Sequence, residues 1–233
     1  MLKPSTTQQV SQILQYCNNH KIAVVTQGGR TGLVGGCTPV FDELIISMEN
    51  FNRIISYDPA TSVLTCEAGC ILENVENYAK KHQAVIPLDL GAKGSCFIGG
   101  NVATNAGGLH FVKYGSLRKN IKAITAVTAD GAIHYLSSSH TTMDGDMKQL
   151  FIGSEGTLGV ITDLSIQCYP YLPYKELCIL AVNSYNDVCK ILTSAKSYFQ
   201  NELSAIEFFD SSCCRLVSKC ITGVFKSLDS KTI

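Results

Sequence analysis

Apolar and polar residues recur with regular periods near the N-terminus and predict an alternation of helices and strands. A capping-box pattern at residues 5–9 begins a helix. Its apolar residues follow at i, i+3, i+4 and i+7 and so share one face: Val10, Ile13, Leu14 and Cys17. Short apolar runs then predict strands at residues 22–25, 43–48 and 63–67, followed by a helix at 72–82.

The same analysis predicts a β-hairpin and one further strand in the middle of the chain. Residues 121–129 are typical of a strand, Asp130-Gly131 of a tight turn, and residues 132–136 of the returning strand. Residues 162–168 alternate with period two, which predicts another strand. Between them, residues 137–146 are expected to form a polar loop.

Pro170 and Pro173 indicate a boundary between two domains, at residues 1–170 and 171–233. Beyond the prolines we predict a strand at 177–182, a helix capped by Ser184, a strand at 205–209 and a short helix capped by Asp210. This β-α-β-α order is the start of a ferredoxin-like α+β domain, which is expected to be incomplete here.

Twelve of the nineteen glycines lie in two clusters. The first is GGRTGLVGG at residues 28–36, and the second is PLDLGAKGSCFIGGNVATNAGGLHFVKYGS at residues 87–116. Glycine is favoured where the backbone turns with positive φ or where another group approaches the main chain closely. The two clusters therefore predict a large, phosphate-bearing ligand surrounded by main-chain amides.

The first cluster follows a predicted strand but matches neither common nucleotide-binding motif. It lacks the Gly-Lys-Ser/Thr ending of a P-loop and the Gly-x-Gly-x-x-Gly of a dinucleotide-binding turn. What remains is a run of amides at residues 28–32 that can surround a pyrophosphate as an anion nest, with the Thr31 hydroxyl beside it. A glycine-rich hairpin without a ligand is the alternative.

Within the second cluster, residues 98–106 can form a short helix with Asn101 and Asn105 on one face. Glycines before this helix would expose its N-terminal amides to an anion, and glycines after it would allow a C-cap. The asparagine amides and Ser95 can donate and accept hydrogen bonds, which suits a flat heteroaromatic ring. Close packing of small residues is the alternative, and a structural role stays open for Asp89 and Lys93.

Composition excludes several classes of function. Lys and Arg number 19, as do Asp and Glu, so a formal net charge of zero offers no electrostatic attraction for nucleic acid or acidic lipid. No apolar run approaches the roughly twenty residues of a transmembrane helix, and the N-terminus has no targeting peptide. Eleven irregularly spaced cysteines without a CxxC pair indicate reduced thiols in an intracellular protein.

Four segments occur in the order seen in one family: GGRTGLVGG, PLDLGAKGSCFIGGNVATNAGG, KYGS at 113–116 and FIGSEGTLGVIT at 151–162. They resemble FAD-dependent dehydrogenases with a vanillyl-alcohol-oxidase-type (PCMH) flavin domain, in particular the D-2-hydroxyglutarate dehydrogenases. The resemblance covers residues 7–216. It implies an α+β fold, with a PCMH-type FAD-binding domain of two α/β subdomains followed by a substrate (cap) domain. The resemblance also implies a first strand before Lys3, which is expected to be missing here.

The resemblance also implies which positions contact FAD. The first loop would hold the pyrophosphate through Gly28, Gly29, Arg30, Thr31, Gly32 and Leu33. The second segment would lie along the adenosine diphosphate and isoalloxazine, with Pro87, Leu88, Gly91, Ser95, Gly99, Gly100, Asn101, Thr104, Gly107, Gly108 and Tyr114. Near the adenine and ribose would lie Glu155, Gly159 and Ile161. Some relatives attach FAD through a histidine in the first loop; Arg30 stands there instead, so non-covalent FAD is expected.

The implied activity is oxidation of a D-2-hydroxy acid, most closely D-2-hydroxyglutarate to 2-oxoglutarate. Hydride would pass from the α-carbon to flavin N5, and electrons would leave to a separate acceptor, which a flavoprotein-type protein could supply. The resemblance also implies a mitochondrial location.

No catalytic or metal-binding residue is assigned. The family's substrate arginine, metal-binding histidines and catalytic histidine map beyond this sequence, so the chain alone is expected to be inactive. Its own histidines match none of these roles: His20, His82, His110, His134 and His140. Two alternatives stay open, a non-catalytic FAD-binding fragment and a D-lactate or glycolate dehydrogenase-type flavin subunit.

Overall fold

The computed structural model describes residues 1–137 and 145–221. The chain divides into two compact units, Met1–Tyr171 and Leu172–Ile233. The division lies beside the boundary that the two prolines predict, and the assignment of the second unit to a cap domain stays a prediction. Most of the predicted polar loop at 137–146, together with His140, lies outside the described residues.

The strands in the described part of the first unit form three sheets. Their bounds are β1 (Val24–Gln27), β2 (Leu44–Ser47), β3 (Ile54–Asp58), β4 (Val63–Glu67), β5 (Ala84–Val85), β6 (Ile121–Val127), β7 (Ile133–Ser137), β8 (Val160–Gln167) and β9 (Tyr169–Pro170). The largest sheet is antiparallel with the order β3-β4-β8-β6-β7. Strands β1 and β2 pair in parallel, and β5 pairs antiparallel with β9.

The helices of the first unit pack around these sheets. Their bounds are α1 (Thr7–Asn19), α2 (Leu72–Lys81), α3 (Ile98–Ala103), α4 (Phe111–Tyr114), α5 (Leu117–Asn120) and α6 (Lys148–Phe151). The hydrophobic core forms where α1, α2 and α3 meet the sheets, at Val10, Leu14, Ile46, Leu64, Val75, Ile98, Val102 and Leu164. Each of these residues lies at an apolar position of an amphipathic helix or strand, which is why the periodicity locates the elements.

Helix α1 begins where the sequence predicts. The Thr6 hydroxyl accepts a hydrogen bond from the Gln9 amide at 3.2 Å, and the Gln9 side chain accepts one from the Ser5 amide at 2.8 Å. These reciprocal bonds satisfy amides that have no partner within the helix, which confirms the capping-box pattern.

The predicted hairpin joins β6 to β7. Gly131 has φ +85°, and the turn closes through a hydrogen bond from the Thr128 amide to the Ala132 carbonyl at 3.0 Å. A carbonyl oxygen of α1 lies 2.8 Å from the position a Cβ of Gly131 would take, so glycine is required both by φ and by space.

The second unit, in its described part, contains α7 (Tyr185–Phe199), a 3₁₀ turn (Gln200–Glu202) and α8 (Ser211–Cys220). Ser184 and Asp210 cap the two helices, as predicted. The strands predicted at 177–182 and 205–209 are wrong, because neither segment is a strand in the structure. Strands need a paired neighbour, and the described residues of this unit supply none.

The cysteines are free thiols, and the buried ones pack as small apolar side chains: Cys17, Cys66, Cys70, Cys96, Cys168 and Cys214. Burial raises the pKa of the Cys168 thiol to about 11, so this group stays protonated at neutral pH.

Asp163 makes stability depend on pH in an unusual direction. Burial raises its pKa above the ordinary 3.8, and the neighbouring Glu67 acts in the same direction against hydrogen bonds from Thr162 and Thr7. The folded state therefore binds more protons between the ordinary and the raised pKa, so the free energy of unfolding falls as pH rises through that window. We expect Asp163→Asn to raise the melting temperature at neutral pH and to have less effect at acidic pH.

Asp130 is the matched control, because its pKa is shifted the other way. The Thr128 hydroxyl and the Ala132 amide donate to its carboxylate and lower its pKa. Its contribution to stability is present at neutral pH and lost as pH falls through the lowered pKa, so Asp130→Asn should lower the neutral melting temperature. Thermal melts across pH check both variants, and a neutral-pH decrease for Asp163→Asn would contradict the assignment.

Candidate functional site

The two glycine clusters, distant in sequence, meet in the structure. A Cβ at Gly29 would lie 2.1 Å from the Ser95 carbonyl oxygen and 2.8 Å from the Cys96 Cα. Gly28 lies beside the Phe97 side chain, where a Cβ would make ordinary contact at 3.5 Å. The main chain of the first loop therefore passes directly over the segment that leads into α3, and only glycine permits this approach at position 29.

The loop at residues 28–34 presents main-chain donors without protein acceptors. Its amides hydrogen-bond to no other group among the described residues. Arg30 has φ +56°, a left-handed conformation that changes the direction of the chain within the run. Arg30, Thr31, Gly32 and Leu33 are all exposed, and Leu33 is fully so. Consecutive free amides with a left-handed residue among them form the kind of concave donor surface that binds anions.

The first amides of α3, predicted to be exposed to an anion, donate instead to main-chain carbonyls of the protein. The Ile98 amide donates to the Cys70 carbonyl at 2.9 Å, and the Gly99 amide donates to the Ala68 carbonyl at 2.7 Å. These two amides are therefore not available to an anion, so the predicted helix N-terminal anion site loses two of its donors and otherwise stays a prediction. A Cβ at Gly99 would lie 2.4 Å from the Ala68 Cβ, so close packing explains this glycine.

Asn101 and Asn105 do not share a helix face. Helix α3 ends at Ala103, and Asn105 lies beyond it with φ +50°, so an asparagine rather than the predicted glycine adopts the left-handed conformation here. Asn101 stays inside α3 and is buried, and its Oδ1 has no hydrogen-bond partner in the described part of the chain. Burial raises the pKa of the Cys96 thiol, and a hydrogen bond with the Asn101 side chain opposes this rise.

The segment before α3 is fixed partly by an ion cluster. Lys93 Nζ lies 3.0 Å from an Asp89 carboxylate oxygen and 3.6 Å from one of Glu76, on α2. Burial raises the pKa of Glu76 although Lys93 opposes it, and these contacts favour the structural role for Asp89 and Lys93. Gly91, between Asp89 and Lys93, and Ser95, just after Lys93, are exposed, while Pro87 and Leu88 are buried.

The remaining positions of the second cluster have packing contacts of their own. Gly108 has φ +73°, and a Cβ there would lie 2.2 Å from the Asp89 carbonyl oxygen. A Cβ at Gly107 would lie 2.9 Å from the Phe111 ring. Thr104 donates its hydroxyl to the Gly100 carbonyl at 3.0 Å. Gly100 itself is exposed, with no atom within 4 Å of the Cβ position.

Tyr114 packs against the strand before the unit boundary. Its ring stacks on that of Tyr169, with centroids 4.4 Å apart. Buried Asn120 donates to the Tyr114 and Ser116 carbonyls and accepts from the Tyr169 hydroxyl. These bonds satisfy the Asn120 amide and give Tyr114 a structural setting; its predicted contact with FAD stays a prediction.

The segment FIGSEGTLGVIT at 151–162, called the third motif below, touches the end of α3 through its first turn. The Glu155 amide donates to the Ala103 carbonyl at 2.8 Å, while its side chain is exposed. Glu155 has φ +54°, a conformation that is unusual outside glycine. Gly159 and Ile161 have packing roles instead. A Cβ at Gly159 would lie 2.4 Å from the Val127 carbonyl oxygen, and Ile161 is in the core.

Thus the structure brings together residues 28–34, the segment 95–101 and, at the other end of α3, the turn at Glu155. Sequence reasoning missed Arg118, whose main-chain amide donates to Asn105, just beyond α3, and whose guanidinium donates to the Ile152 carbonyl in the third motif. No charge pattern singled it out, because Lys113, Lys119 and Lys122 lie close to it in the sequence. The described residues contain no group of three His, Cys, Asp or Glu side chains placed to hold a metal ion. No described helix is long and apolar enough to cross a bilayer.

A model of the FAD binding domain family matches residues 1–137. The chain belongs to this family. The match confirms the predicted family and its cofactor, FAD. Two features of the structure fit that cofactor independently: the buried acceptor on Asn101 that lacks a donor, and the open amides of residues 28–34.

Curated relatives extend the match over nearly the whole chain. The mitochondrial D-2-hydroxyglutarate dehydrogenase of Arabidopsis thaliana is 48% identical over 232 residues, which are 99% of this chain and 42% of the relative. The mitochondrial protein of the same name from Danio rerio is 48% identical over 221 residues, 94% of this chain and 42% of the relative. The chain therefore spans less than half the length of these relatives.

A solved structure supports the fold. An alkyldihydroxyacetonephosphate synthase structure aligns with 84% of this chain and 39% of its own, with a TM-score of 0.69 and 19% sequence identity. At this identity the likeness concerns the fold alone, and with the family match it confirms the predicted α+β, PCMH-type class.

The contact between the glycine clusters can be tested by one methyl group. We expect Gly29→Ala to lower the free energy of unfolding by about 2 kcal/mol, because a main-chain carbonyl cannot rotate out of the way as a side chain can. Gly36→Ala is the matched control, since no atom lies within 4 Å of its Cβ position. Urea unfolding measures both variants, and equal stabilities would show that the clusters do not depend on this contact.

Proposed function

We propose that the joined glycine segments bind FAD non-covalently and form the cofactor-binding part of a D-2-hydroxy-acid dehydrogenase. The observation that carries this proposal is the contact between the loop at 28–34 and the segment at 95–101. Through this contact, a run of free main-chain amides lies beside the N-terminal end of α3. The family match and the names of the two relatives support the same function.

Each part of the site would bind a different portion of FAD. The amides of residues 28–34 and the Thr31 hydroxyl suit the pyrophosphate, since both are hydrogen-bond donors for phosphate oxygens. The free Oδ1 of Asn101 needs a donor, which FAD can provide from a ring N–H or a sugar hydroxyl. The exposed Glu155 carboxylate would accept from ribose hydroxyls. The other predicted positions lie around these groups, several of them with packing roles.

The chemistry would be the oxidation of D-2-hydroxyglutarate to 2-oxoglutarate, with electrons passed to a separate acceptor protein and with a mitochondrial location as in the relatives. When bound, FAD supplies the two-electron acceptor for this reaction. The described residues contribute the binding and orientation of the cofactor. The catalytic groups are not assigned to any residue of this chain.

Non-covalent attachment is supported by the residues of the first loop. Residues 28–34 read GGRTGLV and contain no histidine, cysteine or tyrosine that could form a bond to the flavin. Arg30 takes the place of the linking histidine of some relatives.

Two other readings have less support. A protein that binds FAD without catalysis shares every feature of the cofactor site, so only activity separates it from the proposal. A D-lactate or glycolate dehydrogenase would share the flavin domain as well, and the names of the two relatives above favour hydroxyglutarate.

Flavin binding and its mode can be tested with Gly100→Ala. Alanine is favoured over glycine in a helix by about 0.5–1 kcal/mol, and space is free around this position, so the variant without FAD should be slightly more stable than wild type. If FAD lies against this face of α3, the same methyl group should weaken FAD affinity.

The measurements are the melting temperature without FAD and the dissociation constant from quenching of flavin fluorescence. Gly36→Ala should change neither. Denaturation of the loaded wild-type protein with acid should release the flavin into the supernatant. A folded wild-type chain that binds no FAD would contradict the proposal, and flavin that stays on the precipitated protein would contradict the non-covalent mode.

Competence for catalysis can be tested in a chimera. This chain would replace its 48% identical counterpart in the Arabidopsis thaliana relative, which then supplies the remaining residues. We expect the chimera to hold FAD and to reduce an artificial dye with D-2-hydroxyglutarate faster than with L-2-hydroxyglutarate, D-lactate or glycolate. A chimera that folds and binds FAD but oxidises none of these acids would favour the non-catalytic reading.

A further inference from the structure

Arg118, on α5, joins three segments that are separate in sequence. Its main-chain amide donates to Asn105 Oδ1 at 3.0 Å. Its guanidinium Nη1 donates to the Gln149 carbonyl at 2.6 Å and to the Gln149 side-chain oxygen at 3.1 Å. Nη2 donates to the Ile152 carbonyl. One residue thus connects the end of the second glycine cluster to the start of the third motif.

These contacts are made to carbonyls that the local helix leaves without partners. Helix α6 spans only Lys148–Phe151, so its last carbonyls accept no hydrogen bond from an amide of the same helix. A guanidinium presents several donors in a rigid plane and can serve two carbonyls at once, which an ammonium group cannot do in the same geometry. Among the described residues, no carboxylate lies within 4.0 Å of the Arg118 guanidinium, so its main contacts are with the main chain.

The turn that Arg118 holds has little freedom to change. Gly153 has φ +84°, and a Cβ there would lie 3.2 Å from Arg118 Nη2 and 3.3 Å from the Asn105 Cβ. The Gly153 amide donates to the Val102 carbonyl at 3.2 Å, and the Glu155 amide follows with its bond to α3. The guanidinium therefore lies against the turn that sets the position of Glu155 relative to α3.

We propose that Arg118 is a positioning residue of the FAD site. By holding the turn at 152–155 against the C-terminal end of α3, it fixes the Glu155 carboxylate relative to Asn101 and the loop at 28–34. This inference rests on the proposed FAD site. Its own structural claim, that Arg118 orders the turn, can be tested without FAD.

The test compares Arg118→Ala and Arg118→Lys with Gln167→Ala in the 233-residue chain. Gln167 is the matched control because its side chain also donates to three main-chain carbonyls, of Thr61, Ser62 and Cys168, at 3.0, 3.2 and 3.1 Å. It lies on β8, outside every predicted FAD position. Should Arg118→Ala not fold, Arg118→Lys carries the same test, since it keeps the charge but lacks the planar fork.

Two readouts separate positioning from general stability. Without FAD, amide hydrogen exchange should become faster in peptides that cover residues 149–157 of the Arg118 variants, while peptides from α2 stay as in wild type. With FAD, the dissociation constant should rise about tenfold for Arg118→Ala, because a displaced Glu155 carboxylate would lose its hydrogen bonds from the ribose hydroxyls. It should rise less for Arg118→Lys and stay within about twofold of wild type for Gln167→Ala.

Each adverse result has one meaning. Unchanged exchange at 149–157 would overturn the claim that Arg118 orders the turn. Faster exchange with wild-type FAD affinity, or an equal loss of affinity in Gln167→Ala, would overturn its role in the FAD site. If wild type itself binds no FAD, the proposed function fails, and the exchange experiment still decides whether Arg118 orders the turn.

Discussion

Main chain packed directly against main chain, without intervening side chains, is the constraint on which the rest of the first unit depends. A Cβ at Gly69 would lie 1.9 Å from the Met48 carbonyl oxygen, just after β2. A Cβ at Gly29 would lie 2.1 Å from the Ser95 carbonyl oxygen, and one at Gly99 would lie 2.8 Å from the Ala68 carbonyl oxygen. These three contacts connect the ends of β1 and β2, the turn after β4 and the start of α3. They join the parallel strand pair to the large antiparallel sheet at the site itself.

This construction explains why the site is both rigid and rich in glycine. A glycine costs more conformational entropy on folding than any other residue, so three such contacts require a well-packed surrounding core. Phe51, Leu64, Leu72 and Ile98, all essentially inaccessible to solvent, supply that core around the contacts. The amides that remain without protein acceptors, at residues 28–34, extend from this fixed base. Packing fixes the start of this run at Gly28 and Gly29, while residues 30–34 are exposed.

The sequence predicts best those features that depend on a few neighbouring residues. The cap of α1, strand β4 and the β6–β7 hairpin depend on local hydrogen bonds and short-range periodicity, and they form as predicted. Strand β3 was missed because its residues are mostly exposed or half-buried and give no clear alternation. The strands predicted at 177–182 and 205–209 were wrong because apolar residues alone cannot show whether a pairing partner exists. Arg118 escaped notice for a related reason, since its acceptors are main-chain carbonyls that carry no sequence signal.

The predicted site residues fall into two groups. In one group packing explains why the residue type is needed, and in the other it does not. Gly29, Gly99, Gly108 and Gly159 each face a main-chain atom or Cβ too close for any side chain, so their glycine identity follows from the fold. Gly32 and Gly100 have open space around them, and Asn101 has a buried acceptor without a donor. Packing gives no reason for a glycine at an open position within helix α3, where alanine would be more stable. The case for direct contact with FAD therefore rests most heavily on Gly32, Gly100 and Asn101. Gly29 acts one step earlier, because its contact with Ser95 and Cys96 brings the first loop against the segment that leads into α3.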